Sequence, residues 1–402
     1  MIGSSMEQRS VFLPKPLPSR QKSCYNLKGK NRKERLWSMK KVIDYLKRDV
    51  VLTVSMVLAA VSCLIIPPNI QYLEYIDFHT LIMLFCLMII IEGLREQEVF
   101  QYIGSRLLSK VSTRRGLVFT LVFLCFISSM LITNDVSLIT FVPFGILILE
   151  MTGQISKVCY TITLMTIAGN LGSMFTPIGN PQNLYLYSLS GLSMGGFLRL
   201  MFPYTAAAAI LLAVFVAAGC GKGELKVNME APARMDRRMI SFYSILFLLC
   251  ILTVAGIIPH LVLLAVVACC IGIRNRQLFA RADYGLLLTF IFFFVFVGNI
   301  KHLDSLQTWI MGVLGGNEKA VSVLSSQVIS NVPAAMLLSG YTDQVKELIV
   351  GTNLGGLGTL IASMASLISY KQICNRYPDL KKKYLGIFTV CNLIFLLVLW
   401  LI

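Results

Sequence analysis

From Val50 onward the chain is written in apolar blocks of roughly 17 to 25 residues parted by short polar segments, a length matched to the hydrocarbon core of a bilayer. The blocks predict membrane-crossing helices at about 50–66, 78–94, 158–187 with an interruption, 197–219, 239–256, 258–273, 283–299, 346–370 with an interruption, and 384–402. Two further apolar stretches do not read as single spans. Residues 116–149 are too long for one crossing and carry one charged residue, Asp135, within the break Thr133-Asn134-Asp135, and residues 320–342 are interrupted at Ser330-Asn331-Val332-Pro333.

Composition excludes a soluble domain: 56% of residues are hydrophobic, 14% are charged and mean hydropathy is +0.73. The net charge of +16 matters through its distribution, since residues 1–49 hold +9 of it, and a basic segment before the first span marks a cytoplasmic amino terminus. A tail for nucleic acid or anionic lipid is the sharper reading of the same charge, but topology explains it without a partner, so no nucleic-acid partner is expected. No cleavage site follows the first apolar run, so no signal peptide is expected. Met39 begins a compact Met-Lys-Lys sequence, and residues 1–38 read as a start-site extension or a tail. The eleven Cys show no CxxC pair and read as packing, and the three His are scattered, so neither a metal site nor a cofactor is expected.

Basic clusters at Arg95 to Arg115, Lys222/Lys226/Arg234/Arg237/Arg238, Arg274 to Arg281 and Lys371 to Lys383 belong on the cytoplasmic side, whereas residues 67–77 and 300–319 belong outside. All of this is satisfied if 116–149 and 320–342 are re-entrant hairpins, one entering from each side. The expectation is an all-α polytopic protein of the cell inner membrane with about 9 to 11 spans, its amino terminus cytoplasmic and its carboxyl terminus outside. The segments are 1–49, basic; 50–76, first helix and outer loop; 77–219, first repeat; 220–282, cytoplasmic loop and connecting helices; and 283–402, second repeat.

The repeat is visible in the text. Asn170 to Ile178 aligns without gaps to Asn353 to Ile361, identical at Asn, Leu, Gly, Thr and Ile. Each half reads as a span opened by an Asp (Asp77, Asp283), a hairpin with an Asn tip (Asn134, Asn331) and a broken helix, the two halves being inverted in the membrane. Tip and broken helix are 36 residues apart in the first half and 22 in the second, so the second hairpin arm must be shorter.

A helix break at membrane depth exposes backbone groups that need partners, and the site supplies them. Amide ends of half-helices attract anions, and carbonyl ends with Asn, Ser and Thr oxygens suit a desolvated Na+. Candidate substrate contacts are Thr133, Asn134, Asn180, Ser330, Asn331 and Thr359; candidate coupling-ion residues are Asp135, Thr176, Gly179, Asn183, Asn353 and Gly355. The plain alternative for Thr133, Asn134, Asp135 and Asn331 is that they cap helices. Thr176 to Asn183 could be an outer turn, but its match to 353–361 favours a buried site. Residues 158–198 contain no Asp, Glu, Lys or Arg, so an anion there is held by amide dipoles and hydroxyls.

At Thr133-Asn134-Asp135-Val136, Gly179-Asn180-Pro181-Gln182-Asn183 and Ser330-Asn331-Val332-Pro333-Ala334 the chain resembles the citrate-transporter-like permeases of the ion transporter superfamily, which also holds divalent anion/sodium symporters, arsenite permeases and some sodium/proton antiporters. The likeness runs from about Asp77 to Lys371. It implies a small anionic substrate, coupling to Na+ or H+, an elevator-like motion and a homodimer. In the symporter branch each tip carries Ser-Asn-Thr; Asn134, Asn331 and Ser330 match, whereas Thr133, Asp135 and Val332-Pro333 depart toward the arsenite-permease and antiporter side. The leading expectation is a secondary permease for a citrate-like carboxylate or inorganic oxyanion, with arsenite-type efflux or Na+/H+ antiport through Asp135 as the alternative. No catalytic cluster, output domain or nucleotide signature supports an enzyme or a pump.

Overall fold

The computed structural model describes residues 49–221, 223–225 and 236–402. The basic segment before Asp49, with Met39, and the loop residues Lys222, Lys226 and Arg234 lie outside the described residues. By contacts the chain divides into Met1–Thr53 and Val54–Ile402, and of the first unit only the start of one helix is described. Regular structure among the described residues is helical, with one isolated bridge between Thr113 and Glu224.

In the first half α1 is Val50–Ile65, α2 Tyr72–Tyr75, α3 Phe78–Glu96 and α4 Val99–Leu108. Then α5 (Arg114–Leu131) and α6 (Asn134–Met151) pack side by side, joined through Ile132 and Thr133. α7 (Val158–Ser173) and α8 (Pro181–Ser190) are two pieces of one interrupted segment, followed by α9 (Met194–Gly219). α10 (Arg237–Val254) and α11 (His260–Arg274) lead to α12 (Tyr284–Ile300) and α13 (Asp304–Leu314). The succession then recurs: α14 (Glu318–Ile329) and α15 (Asn331–Leu338) meet at Ser330, α16 (Val345–Gly355) and α17 (Met364–Arg376) flank a break, and α18 (Lys381–Trp400) closes the chain. The second arm α15 has 8 residues against 18 in α6, which accounts for most of the shorter spacing after the second tip.

This is an all-α polytopic membrane protein. Among the described residues six helices are long and apolar enough to cross a bilayer: α3, α5, α6, α9, α10 and α18 with the turn before it. α12 and α13 make a seventh if taken as one span bent by 105°. Two of the six, α5 and α6, are the arms of 116–149, expected as a re-entrant hairpin though each is long enough to cross. Of the nine spans expected from sequence, 158–187 and 346–370 are each two short half-helices, and α1 and α11 have only 16 and 15 residues. The expected outer loop 300–319 differs too, since most of it is α13. Apolar side chains such as Ile210, Ile245 and Leu397 stand exposed on α9, α10 and α18, as suits surfaces whose solvent is lipid.

Asp77 and Asp283 open α3 and α12 in the same way, each accepting from the backbone N–H three residues on at 3.0 Å. Polar contacts sort the loops into two ends. At one, Arg115 Nε donates to Cys220 O, Lys157 Nζ to Gly219 O, Arg281 pairs with Glu92 and Glu96, and Arg376 pairs with Glu150. At the other, Tyr75 meets His302, His79 meets His260 edge to face, Asp77 accepts from Ser188, and Lys319 lies over the rings of Tyr204 and Trp400. α3, 19 residues and about 28 Å long, reaches from the second end to the first. Helix contacts also fall into two groups: α2, α3, α10, α11 and α12 in one, α5 to α9 and α14 to α18 in the other, joined chiefly where α3 meets α8 and α12 meets α15.

Candidate functional site

Each hairpin tip is tied by its backbone to the break of its own half. Asn134 N–H donates to Gly179 O at 3.1 Å, and Asn331 N–H donates to Ala362 O at 3.0 Å. Gly179 and Ala362 lie 183 residues apart, the same offset that aligns Asn170 with Asn353. The offset recurs in the tethers to the first hairpin arms: Thr176 Oγ1 donates to Met130 O at 2.5 Å and Thr359 Oγ1 to Gln327 O at 3.1 Å. Gly172 and Gly355 occupy matching points of close approach, since a Cβ there would stand 2.0 Å from Phe126 O and 2.5 Å from Ser326 Oγ.

The two breaks are then braced across the halves. Asn170 Oδ1 accepts from Asn134 Nδ2 at 3.1 Å and from Ser363 Oγ at 3.0 Å, while its Nδ2 donates to Ser366 Oγ at 3.2 Å and to Gly356 O at 3.4 Å. Asn353, its counterpart, accepts from Asn180 Nδ2 at 3.3 Å and donates to Asn183 Oδ1 at 2.6 Å. Asn180 aligns with Ser363 and Asn183 with Ser366, so the Asn before each break is held by the two polar residues after the other break. All six side chains are buried. A buried polar network of this kind favours one geometry, because any lost partner leaves a costly buried group; of these six side chains Asn180 keeps its Oδ1 without a partner.

Four half-helices begin in this cluster: α6 after Thr133, α8 after Asn180, α15 after Ser330 and α17 after Ser363. None of the four preceding side chains caps its helix, whereas Asp77, Thr113, Ser193, Asp236 and Asp283 cap theirs elsewhere. Pro181 at the start of α8 suits a first turn and removes one donor. Ser330 sits at φ +73°, ψ 154°, a conformation costly for a residue with a Cβ, and its hydroxyl donates to Ala362 O at 3.4 Å beside the Asn331 N–H bond to the same oxygen. Gly179 is required by space, for a Cβ would lie 2.1 Å from Ser173 O.

Of the residues singled out from sequence, Asn134, Gly179, Asn180, Asn183, Ser330, Asn331, Asn353 and Gly355 are buried in this cluster, and a Cβ on Gly356 would lie 3.1 Å from Asn331 Nδ2. Thr133 and Thr176 are half-buried and Thr359 is exposed; the two threonine hydroxyls at 176 and 359 are directed at hairpin carbonyls. Asp135 accepts no backbone amide, and its Oδ1 is buried without a partner, as are Asn180 Oδ1 and Gln182 Nε2. It therefore does not cap α6, although its own N–H donates to Asn134 Oδ1. The sequence reading did not assign Asn170, Ser363, Ser366 or Gln327 to the site. Adding 183 to Asn180 and Asn183 finds the two serines, and the alignment already begins on Asn170.

Comparison with known proteins decides the family. The model of the citrate transporter family (CitMHS) matches residues 36–345. The chain belongs to the citrate transporter family. It is 32% identical over 304 residues to an uncharacterized transporter of Methanocaldococcus jannaschii, covering 75% of this chain and 82% of the relative. It is 32% identical over 321 residues to the inner membrane protein YbiR of Escherichia coli, covering 75% and 81%. A silicon efflux transporter of Oryza sativa subsp. japonica is 31% identical over 130 residues, 32% of this chain and 26% of that protein. This member of the citrate transporter family is thus a multi-pass membrane transporter, and the family and its relatives' names speak for transport and not for an enzyme. The matched stretch ends at Val345, so Asn353, Gly355 and Thr359 lie beyond it and are placed at the site by the internal register and by their contacts with Asn180, Asn183, Ser326 and Gln327.

Proposed function

We propose that this transporter is a secondary permease for a small anion, held between the two hairpin tips and the two helix breaks. The observation that carries the reading is the meeting, in a buried cluster whose residues include no Lys or Arg, of four half-helix amino termini that the preceding side chains do not cap. The first-turn amides of Asn134, Asp135 and Asn331 are among those bonded within the cluster, and the free ones are left for a ligand. Free amides at helix starts attract negative charge without a fixed cation. Thr133, Asn134, Asn180, Ser330, Asn331 and Thr359 are the substrate residues of this proposal, and Asp135 is the charged group able to answer to a coupling cation or proton. The contacts at the two ends support an inverted repeat: α7 begins beside Lys157 at the basic end and α8 ends at Ser188 beside Asp77, whereas α17 ends at Arg376 back at the basic end. An elevator motion of one helix group against the other, in a homodimer of the cell inner membrane with the basic end cytoplasmic, belongs to the same proposal.

A second reading, efflux of a weak oxyacid, is favoured by the unpartnered acceptors Asp135 Oδ1 and Asn180 Oδ1, which suit a substrate bearing O–H donors, and by the silicon efflux relative. A thermal-shift screen of carboxylates, sulfate, arsenite, tellurite and silicate separates the two, since a ligand of the native state raises its stability. Asn134→Ala and Asn331→Ala should each weaken the same ligand about tenfold or more while the protein stays folded, the loss of roughly one good hydrogen bond to a charged group. Unchanged binding in both variants would remove the two-tip site.

A further inference from the structure

Each break ends a half-helix in carbonyl oxygens, the groups a desolvated monovalent cation would take. In both halves a side-chain amide already lies on them. Asn183 Nδ2, on a fully buried side chain, is 3.3 Å from Ser173 O, 3.4 Å from Met174 O and 3.3 Å from Thr176 O. Gln327 Nε2 is 3.0 Å from Gly355 O and 2.9 Å from Leu357 O, and its Oε1 accepts from Thr359 N–H at 2.9 Å. Gly358, at φ +106°, makes room, since a Cβ there would lie 2.2 Å from Gln327 Oε1.

The two amides are not counterparts. The 183-residue offset of the breaks puts Ser366 opposite Asn183, and the 197-residue offset of the hairpins puts Met130 opposite Gln327. Each half therefore carries one amide, from a different element, where the other half has a short hydroxyl or a thioether. The outcome is the same: Met174 O and its counterpart Leu357 O are both bound by an NH2 group. A neutral NH2 donates to the carbonyls from the place where a cation would be coordinated, and it removes their need for one.

We infer that Asn183 and Gln327 fill the cation seats of the two breaks and are specificity-determining residues, so that this permease operates without Na+. The inference rests on the anion-permease reading and narrows its coupling ion.

The test uses the purified full-length protein in NaCl, KCl or choline chloride at equal ionic strength. The wild type should unfold at the same temperature in all three. Asn183→Ser and Gln327→Met, which copy the other half, should lower the unfolding temperature in choline and regain it with Na+ but not K+, the recovery growing with Na+ concentration as mass action requires. A Na+-specific rise in the wild type overturns the inference, and so does a folded variant that Na+ fails to recover. If neither variant folds, the wild-type titration decides alone. None of these measurements needs a substrate. A wild type that binds an anion and also responds to Na+ overturns only this inference, whereas one blind to Na+ that binds no anion leaves the inference standing and removes the anion reading.

Discussion

At the scale of single residues, Asp135 is the group whose surroundings do least for it. It begins α6 next to a tip Asn that is bound through its backbone N–H, its amide nitrogen and its carbonyl oxygen, yet its own Oδ1 is buried with no partner. A carboxylate so placed destabilises the resting fold unless a ligand, cation or proton completes it. Asp135→Asn keeps the shape and removes the charge. The variant should be at least as abundant and as thermally stable as the wild type, while the pH or cation dependence of ligand binding changes by about tenfold, equivalent to about 1.4 kcal/mol. Measuring binding across pH 5.5 to 8.5, a window of roughly three units around neutrality, checks this. Wild-type dependence in the variant would reduce Asp135 to a structural residue. Gly179 makes the opposite case, because its lack of a side chain is what matters. Gly179→Ala drives a Cβ into the Ser173 carbonyl, a backbone atom that cannot swing aside, and should cost more than about 3 kcal/mol, seen as loss of folded protein in detergent.

Between elements, the first hairpin arm and the pre-break half-helix of each half approach closely at a glycine, but the obstacle differs. Gly172→Ala would meet Phe126 O, a backbone atom, at 2.0 Å; Gly355→Ala would meet chiefly the Ser326 side chain, with the nearest carbonyl at 3.3 Å. The first substitution should therefore lower the unfolding temperature more than the second, and Ser326→Gly added to Gly355→Ala should restore part of the loss, whereas Ser129→Gly should not rescue Gly172→Ala. Coupling between touching residues of this kind is commonly about 0.5 to 3 kcal/mol. The register behind this comparison is legible in the chain, because Asn, Leu, Gly, Thr and Ile recur at the offset of 183. The tips and breaks are legible too, being polar text inside apolar runs. What sequence could not display is the exchange across halves. The partners of Asn170 are two serines and those of Asn353 two further asparagines, so chemistry is kept while identity is not. Gln327 reads as one polar position on an amphipathic arm, and α13 as a mixed outer loop, because neither forms an apolar block.

For the whole molecule, the ends of the helices carry the argument. Lys319 lies over Trp400 and donates to its carbonyl, at the end of the protein that also holds Asp77, His302 and Ser188, so a reporter fused after Ile402 should report the outer side and one placed in the 151–157 turn the cytoplasm. The same end contains a polar bridge between the two helix groups: Ser188 on α8 donates to Asp77 Oδ2 at 3.3 Å and lies 3.3 Å from Thr80 Oγ1 on α3. If transport moves the second group against the first, this bridge must break in every cycle, because α8 carries a site residue at its start and the bridge at its end. Thr80→Cys with Ser188→Cys replaces two oxygens now 3.3 Å apart by two thiols, which must close to about 2.05 Å to form a disulfide. Oxidised, the double variant should lose transport of the anion selected by thermal shift by about tenfold or more, and a reductant should restore it; each single variant, treated alike, controls for the native cysteines. The disulfide should leave binding intact, because it lies at the far end of α8 from Asn180. A cross-linked protein that transports at the wild-type rate would show that α3 and α8 stay together through the cycle, and the moving boundary would then have to be drawn elsewhere among the same helices.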